Sequence, residues 1–142
     1  MVKIKVKIKA KDDFMPKYQK PGDVGADLKS AETEPVQVNP GQNALIKTGV
    51  RLEMPEDIMA TVHPRSGLAK EGIIVITGII DSCYRGEIRV NLANYSKTSV
   101  YINPGDRIAQ LVFNPVVRPT FIPADKLSET ERGEGGFGST GV

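Results

Sequence analysis

This chain is punctuated by turn signals, and the segments between them read as short strands with no sustained helical period. Pro21-Gly22-Asp23, Asn39-Pro40-Gly41-Gln42, Pro55-Glu56-Asp57 and Asn103-Pro104-Gly105-Asp106 pair a ring-fixed φ with residues that favour tight backbone bends. Between them lie Ala44 to Leu52, Ile58 to His63, Gly72 to Ile76, Ile88 to Ala93, Ser99 to Ile102 and Ile108 to Asn114. These segments are rich in Val, Ile, Leu and Thr, which suit strands. Many short strands without a sustained helical period predict an all-β domain, a sandwich or a barrel. Helix is expected only over Ser66 to Glu71, with Ser66 as its N-cap, and over Ala124 to Leu127 after Pro123. The 142 residues are enough for one domain with a real core. A core over 1–127 and a flexible glycine-rich tail over 128–142 are the expected divisions.

The N-terminus alternates strictly, with Val2, Ile4, Val6 and Ile8 against Lys3, Lys5, Lys7 and Lys9. Period-two alternation predicts a strand over Val2 to Lys9 with one apolar face and one lysine face. Lysines on an edge strand guard against unwanted pairing, so this ladder is read as edge protection. A formal net charge of +2 is too small for a typical nucleic-acid binder, and no nucleic-acid partner is expected. The single cysteine, Cys83, excludes an internal disulfide framework, and a reducing, cytoplasmic location is expected. No apolar run has membrane-spanning length, so no membrane partner is expected either. The one histidine, His63, is read as a strand-end residue without a chemical role. Chemistry must then lean on carboxylates, arginines, hydroxyls and a borrowed metal ion.

Four polar clusters carry that chemistry. The tail from Arg132 to Val142 holds five glycines, Phe137, Ser139 and Thr140. Glycines let backbone N–H groups approach an anion, arginine grips phosphate with its planar fork, and an aromatic ring can stack on a base. It lacks the Gly-Lys-Ser/Thr of a Walker loop, and a frayed terminus is the bland alternative. Pro64-Arg65-Ser66-Gly67-Leu68-Ala69 sets an arginine at a helix start, which suits an anion or simply a capped helix. Ile80-Asp81-Ser82-Cys83-Tyr84-Arg85-Gly86-Glu87 is a polar loop between apolar strands. In Pro104 to Leu111, Gln110 is a polar residue inside an apolar run, as happens at sites and in buried networks.

With Gly22-Asp23-Val24-Gly25-Ala26-Asp27-Leu28 added, these segments resemble the five motifs of the trimeric dUTPases, in the family's order and at its usual separations. The third, Gly78 to Ile88, and the fifth, Arg132 to Gly141, are very specific, and the likeness spans Gly22 to Gly141.

The resemblance implies a distorted jelly roll that forms a homotrimer. Each active site would take its first, second and fourth motifs from one chain, its third from a neighbour and its tail from the last. It implies hydrolysis of dUTP to dUMP and pyrophosphate by water attack on the α-phosphorus. Asp81 would activate that water and touch the sugar 3′-hydroxyl, and Tyr84 would pack on the deoxyribose and exclude a 2′-hydroxyl. Uracil would be read by backbone groups of the hairpin between about Ile76 and Ala93, Gly78 and Ile80 among them. Arg65, Ser66, Gly67 and Gln110 correspond to the phosphate-contacting set. Asp27 corresponds to the acid that holds Mg2+ through water while the triphosphate binds the ion directly. In the tail, Arg132, Gly138, Ser139 and Thr140 would hold the distal phosphates and Phe137 would cover the base. Cys83 stands where many members carry an acidic or small residue, and it is given no chemistry. Val24 replaces a common alanine. The run Val75-Ile76-Thr77 lacks the asparagine of many bacterial members, so base contacts through that side chain do not carry over. A dCTP deaminase of the same fold would need a glutamate signature that is absent, and a non-catalytic sensor could dispense with Asp81 and Arg132, which are both present.

Overall fold

The computed structural model describes residues 3–76 and 78–141; Val2, Thr77 and Val142 lie outside them. Eleven strands and one short helix follow one another in the order β1 (Lys7–Lys9), β2 (Ala26–Lys29), β3 (Val36–Val38), β4 (Asn43–Lys47), β5 (Arg51–Glu53), β6 (Ile58–Pro64), α1 (Ser66–Lys70), β7 (Ile73–Val75), β8 (Ile79–Ile80), β9 (Arg89–Asn94), β10 (Val100–Ile102) and β11 (Arg107–Pro115). A 3-10 turn covers Asp12–Phe14. The all-β expectation is met. All pairings are antiparallel and join residues far apart in sequence. They build a four-stranded sheet β2-β11-β6-β8, a three-stranded sheet β4-β9-β7 and two ribbons, β1-β5 and β10-β3.

The core follows from period-two burial. On β6, Ile58, Ala60 and Val62 are buried while Met59, Thr61 and His63 face outward. Their inward side chains meet Leu28, Ile46, Ile73, Val90, Leu92 and Leu111. β11 breaks the pattern at Ile108 and Ala109, which are both fully buried. The register explains it: Arg107 pairs with Lys29 and Ala109 with Leu28, so Ile108 is the extra residue of a bulge. Beyond the bulge, Gln110 emerges on the opposite face. Among the described residues every buried side-chain nitrogen or oxygen has a hydrogen-bond partner. The Asn94 amide donates to the Val38 and Thr98 carbonyls at 2.9 and 2.8 Å and accepts from the Ser96 N–H and hydroxyl. The two Asn-Pro-Gly turns are as the sequence predicts, with Gly41 and Gly105 at φ 75° and 82°.

Four expectations are corrected. The strand expected over Val2 to Lys9 is paired only at Lys7–Lys9. Its partner β5 ends at Glu53, and Pro55, which would come opposite next but one, has no N–H for the ladder. The run from Ala44 to Leu52 is two strands, because Gly49 at φ 70° turns the chain between them. Ser66 is the first helical residue; Arg65 occupies the N-cap, with no side-chain capping bond. Ala124 to Leu127 forms no helix. One turn costs more to nucleate than it returns, and Leu127 is 84% exposed with nothing to pack on. β2, β3 and β8 are strands that the sequence reading did not delimit.

The β1–β5 ribbon is tied by Lys7 Nζ to Glu53 Oε1 at 2.9 Å. The hydrogen bond from Lys7, and then its charge, lower the Glu53 pKa below the ordinary carboxylate value. A depressed carboxylate stabilises the fold above its unfolded pKa, near about 4.3, and loses that contribution as pH falls through the folded value. Protection of the β1–β5 backbone amides, taken relative to the intrinsic exchange rate at each pH, is therefore expected to fall as pH drops below about 4. Glu53→Gln should erase that pH dependence, measured by hydrogen exchange.

Candidate active site

β11 is paired along both edges, and this brings separate motifs together. Gln110 lies opposite Asp27 of β2 on one side and opposite His63 of β6 on the other. Two residues past His63 the chain reaches Arg65 and the start of α1. The result is a cavity of about 650 Å³ lined by Lys20, Asp23, Gly25, Asp27, Arg65, Ser66, Gly67, Arg107 and Gln110 among others.

Charge organises this cavity. Asp27 is nearly buried and accepts from Arg65 Nε on one oxygen at 3.1 Å and from Arg107 Nη1 on the other at 3.3 Å. The guanidinium groups keep one third to one half of their side-chain surface exposed. Each retains donors for an incoming anion, because a guanidinium carries five N–H groups. The first-turn N–H groups of α1 have no intrahelical acceptor and open beside them. Gln110 Nε2 donates to the Pro64 carbonyl at 3.1 Å. A Cβ on Gly25 would stand 2.2 Å from Gln110 Oε1, so that glycine makes room for the amide. Arg107 and Lys20 are cations to which the sequence reading gave no role. Arg107 joins Gln110 at this cavity because the bulge at Ile108 shifts the β11 register, which the spacing in sequence does not announce.

Gly78, Ile80, Asp81 and Tyr84 belong to a second cavity of about 320 Å³, shared with Leu45, Val62, Ile79 and Ile88. No described residue lines both. This second hollow has mostly apolar walls, with Glu87 and Arg89 among its lining residues. The Gly78 carbonyl accepts from Val62 N–H at 2.7 Å, and a Cβ there would stand 2.3 Å from the Val62 carbonyl oxygen. Glycine is what lets the hairpin lie so close to β6. Asp81 is exposed at its mouth, and no hydrogen bond or ion pair to its carboxylate occurs among the described residues. His63 only bonds Thr61 Oγ1, at 2.8 Å.

The tail enters neither cavity. From Thr130 to Gly141 it is a series of hydrogen-bonded turns, with Arg132 Nε on the Gly135 carbonyl at 2.9 Å. Phe137 is fully exposed and is the only non-glycine at positive φ (52°) among the described residues. The sequence-predicted residues thus fall into three separate groups on one chain: the cationic cavity, the apolar hollow with Asp81, and the tail.

The dUTPase family model matches residues 11–141. The chain belongs to the dUTPase family. It is 52% identical to the deoxyuridine 5'-triphosphate nucleotidohydrolase of Chlamydia pneumoniae over 132 residues, 90% of this chain and 91% of that one. Identity to the enzyme of the same name from Thermoanaerobacter sp. (strain X514) is 47%, over all of this chain and 98% of the relative. Among solved structures, the dUTPase of Staphylococcus bacteriophage 80alpha with dUPNHPP superimposes with a TM-score of 0.87 at 30% identity, covering 97% and 99% of the two chains. A mutant dUTPase of phage phi11 of S. aureus, described with a structural Mg(II) ion, gives 0.77 at 26% identity, covering 86% and 97%.

Asp27 holds two cations that would otherwise repel each other, so Asp27→Asn should loosen both. The arginines can rehydrate, which limits the cost to about 1–2 kcal/mol. A drop in melting temperature of roughly 3–8 °C is expected. An unchanged melting curve would mean that the two ion pairs contribute nothing.

Proposed function

We propose that this dUTPase hydrolyses dUTP to dUMP and pyrophosphate at a site assembled from three chains. The observation that carries the reading is the separation just described. The residues suited to phosphate and those suited to base and sugar occupy different cavities of one subunit, and the tail reaches neither. A homotrimer would unite them: the cationic cavity from one chain, Asp81 with Tyr84 from a second, and the tail from a third.

In that site Arg65, Ser66, Gly67 and Gln110 bind the triphosphate, with Arg107 added on the strength of its position beside Asp27. Tyr84 packs on the deoxyribose and leaves no room for a 2′-hydroxyl. Backbone groups near Gly78 and Ile80 read uracil inside the apolar hollow, where an unpaired polar group is strongly disfavoured. Asp81 orients a water and accepts its proton as oxygen attacks the α-phosphorus. Arg132, Gly138, Ser139 and Thr140 close on the distal phosphates while Phe137 covers the base. Such closure excludes water and fixes the in-line geometry, the main terms in phosphoryl transfer.

Mg2+ fits this donor set only as an ion carried by the substrate. No group of three or more acidic, histidine or cysteine side chains suited to hold a metal occurs among the described residues, and both Asp27 oxygens already accept from arginine. Magnesium keeps its waters and leans on phosphate oxygens, so Asp27 would meet it through water. Bound there, the ion neutralises charge on the phosphates. The cellular role that follows is to keep uracil out of DNA and to supply dUMP for thymidylate synthesis, in the cytoplasm. No helix of the described residues is long and apolar enough to cross a membrane.

Pyrophosphate release compared across dUTP, dTTP, dCTP and UTP tests the substrate. Strong preference for dUTP is expected; ammonia release from dCTP would overturn it. Asp81→Asn should lower kcat by about 10²–10⁴, the usual worth of a general base, with dUTP binding within a few-fold of wild type. Truncation before Arg132 should leave a folded trimer with little turnover, and near-normal activity would remove the tail from the site.

A further inference from the structure

Tyr84 folds back over the two residues that follow it. Its hydroxyl donates to the Glu87 carbonyl at 3.0 Å, which lays the ring across Gly86. A Cβ on Gly86 would stand 2.2 Å from the Tyr84 hydroxyl oxygen and 2.3 Å from Cζ, far inside contact distance. Gly86 is not among the glycines at positive φ, so its own backbone does not call for glycine. The space above it does.

The backbone around the ring is tied down from several sides. Tyr84 N–H donates to the Asp81 carbonyl at 3.0 Å. Arg85 Nη1 donates to the carbonyls of Ser82 and Tyr84 at 2.7 and 3.3 Å. From β5, Arg51 Nη1 reaches the Arg85 carbonyl at 3.1 Å, and Glu87 Oε1 accepts from the Gly49 N–H at 2.9 Å. The ring is the part left free to swing, and it is 45% exposed, so turning it outward sacrifices little burial.

We propose that Gly86 is the positioning residue for sugar selection. By having no side chain, it lets the tether from the Tyr84 hydroxyl to the Glu87 carbonyl hold the ring at the mouth of the base and sugar hollow. The ring excludes a 2′-hydroxyl only in that orientation. This rests on the reading of Tyr84 as the residue against the deoxyribose of dUTP. Gly86→Ala keeps the tied backbone and the tyrosine but displaces the ring. Tyr84→Phe keeps the ring and removes only the tether.

The test is the ratio of kcat/KM for dUTP to that for UTP, measured by pyrophosphate release on wild type and both variants, with melting temperatures alongside. Gly86→Ala should cut the ratio on the order of tenfold to 100-fold, the range over which a pocket rejects one added hydroxyl. The gain should come from UTP turnover, with the melting temperature within about 3 °C of wild type. Tyr84→Phe should cut it about threefold to tenfold, the worth of one neutral hydrogen bond. If Gly86→Ala yields no folded protein, Tyr84→Phe decides alone. A selective wild type whose folded variants stay equally selective, or lose dUTP and UTP turnover in equal proportion, overturns the role of Gly86 only. A wild type that does not prefer dUTP removes the functional reading beneath it.

Discussion

The double pairing of β11 is the constraint on which the rest of the molecule depends. From Ala109 to Leu111 it is bonded to β2 on one edge and β6 on the other. Those two neighbours deliver Asp27 and the Arg65 segment to the same face. The bulge at Ile108 sets the phase, sending Gln110 toward Asp27 while Ile108 and Ala109 stay in the core. A one-residue slip would exchange the faces, burying Gln110 and dispersing the cations. Register and charge placement are therefore one problem, solved by core packing.

Asp27 shows how the site tolerates its own charge. Arg65 and Arg107 converge beside Lys20, an arrangement that repels itself when empty. A carboxylate that accepts from both guanidiniums relieves that repulsion and fixes their direction. Most of each arginine's N–H donors stay unspent, which is what an anion with many oxygens requires. The second cavity is built on the opposite principle: its walls are largely apolar, and glycines at 78 and 86 bring backbone and ring close where side chains would hold them apart. The two cavities differ in character and share no described lining residue.

Local patterns in the sequence carried most of the fold. Branched runs, two of them flanking the Asn103-Pro104-Gly105 turn, marked β6, β7, β9, β10 and β11 to within a residue or so, because turn chemistry and period-two burial act over a few residues. The misreadings have tertiary causes. The lysine strand stops where its partner meets Pro55, Gly49 divides one run into two strands, and Ala124 to Leu127 has nothing to pack on. The site residues and their division among chains were both expected from the resemblance to a family pattern, and neither from local patterns alone. Nothing between Gly78 and Gly86 announces that this hairpin opens away from Arg65. Arg107 went unassigned because its partner, Asp27, lies 80 residues away in sequence and meets it only through the β11 register.

The central claim is that no single chain holds a working site. It is tested most directly by co-expressing Asp81→Asn with a chain truncated before Arg132, each inactive alone, and measuring dUTP turnover of the mixed assembly. If Asp81 and the tail of each site come from different subunits, random trimers of equal amounts should recover about a quarter of wild-type activity, because one subunit in two supplies each intact part. No recovery in verified mixed trimers would mean that one chain supplies both parts, and would contradict the account.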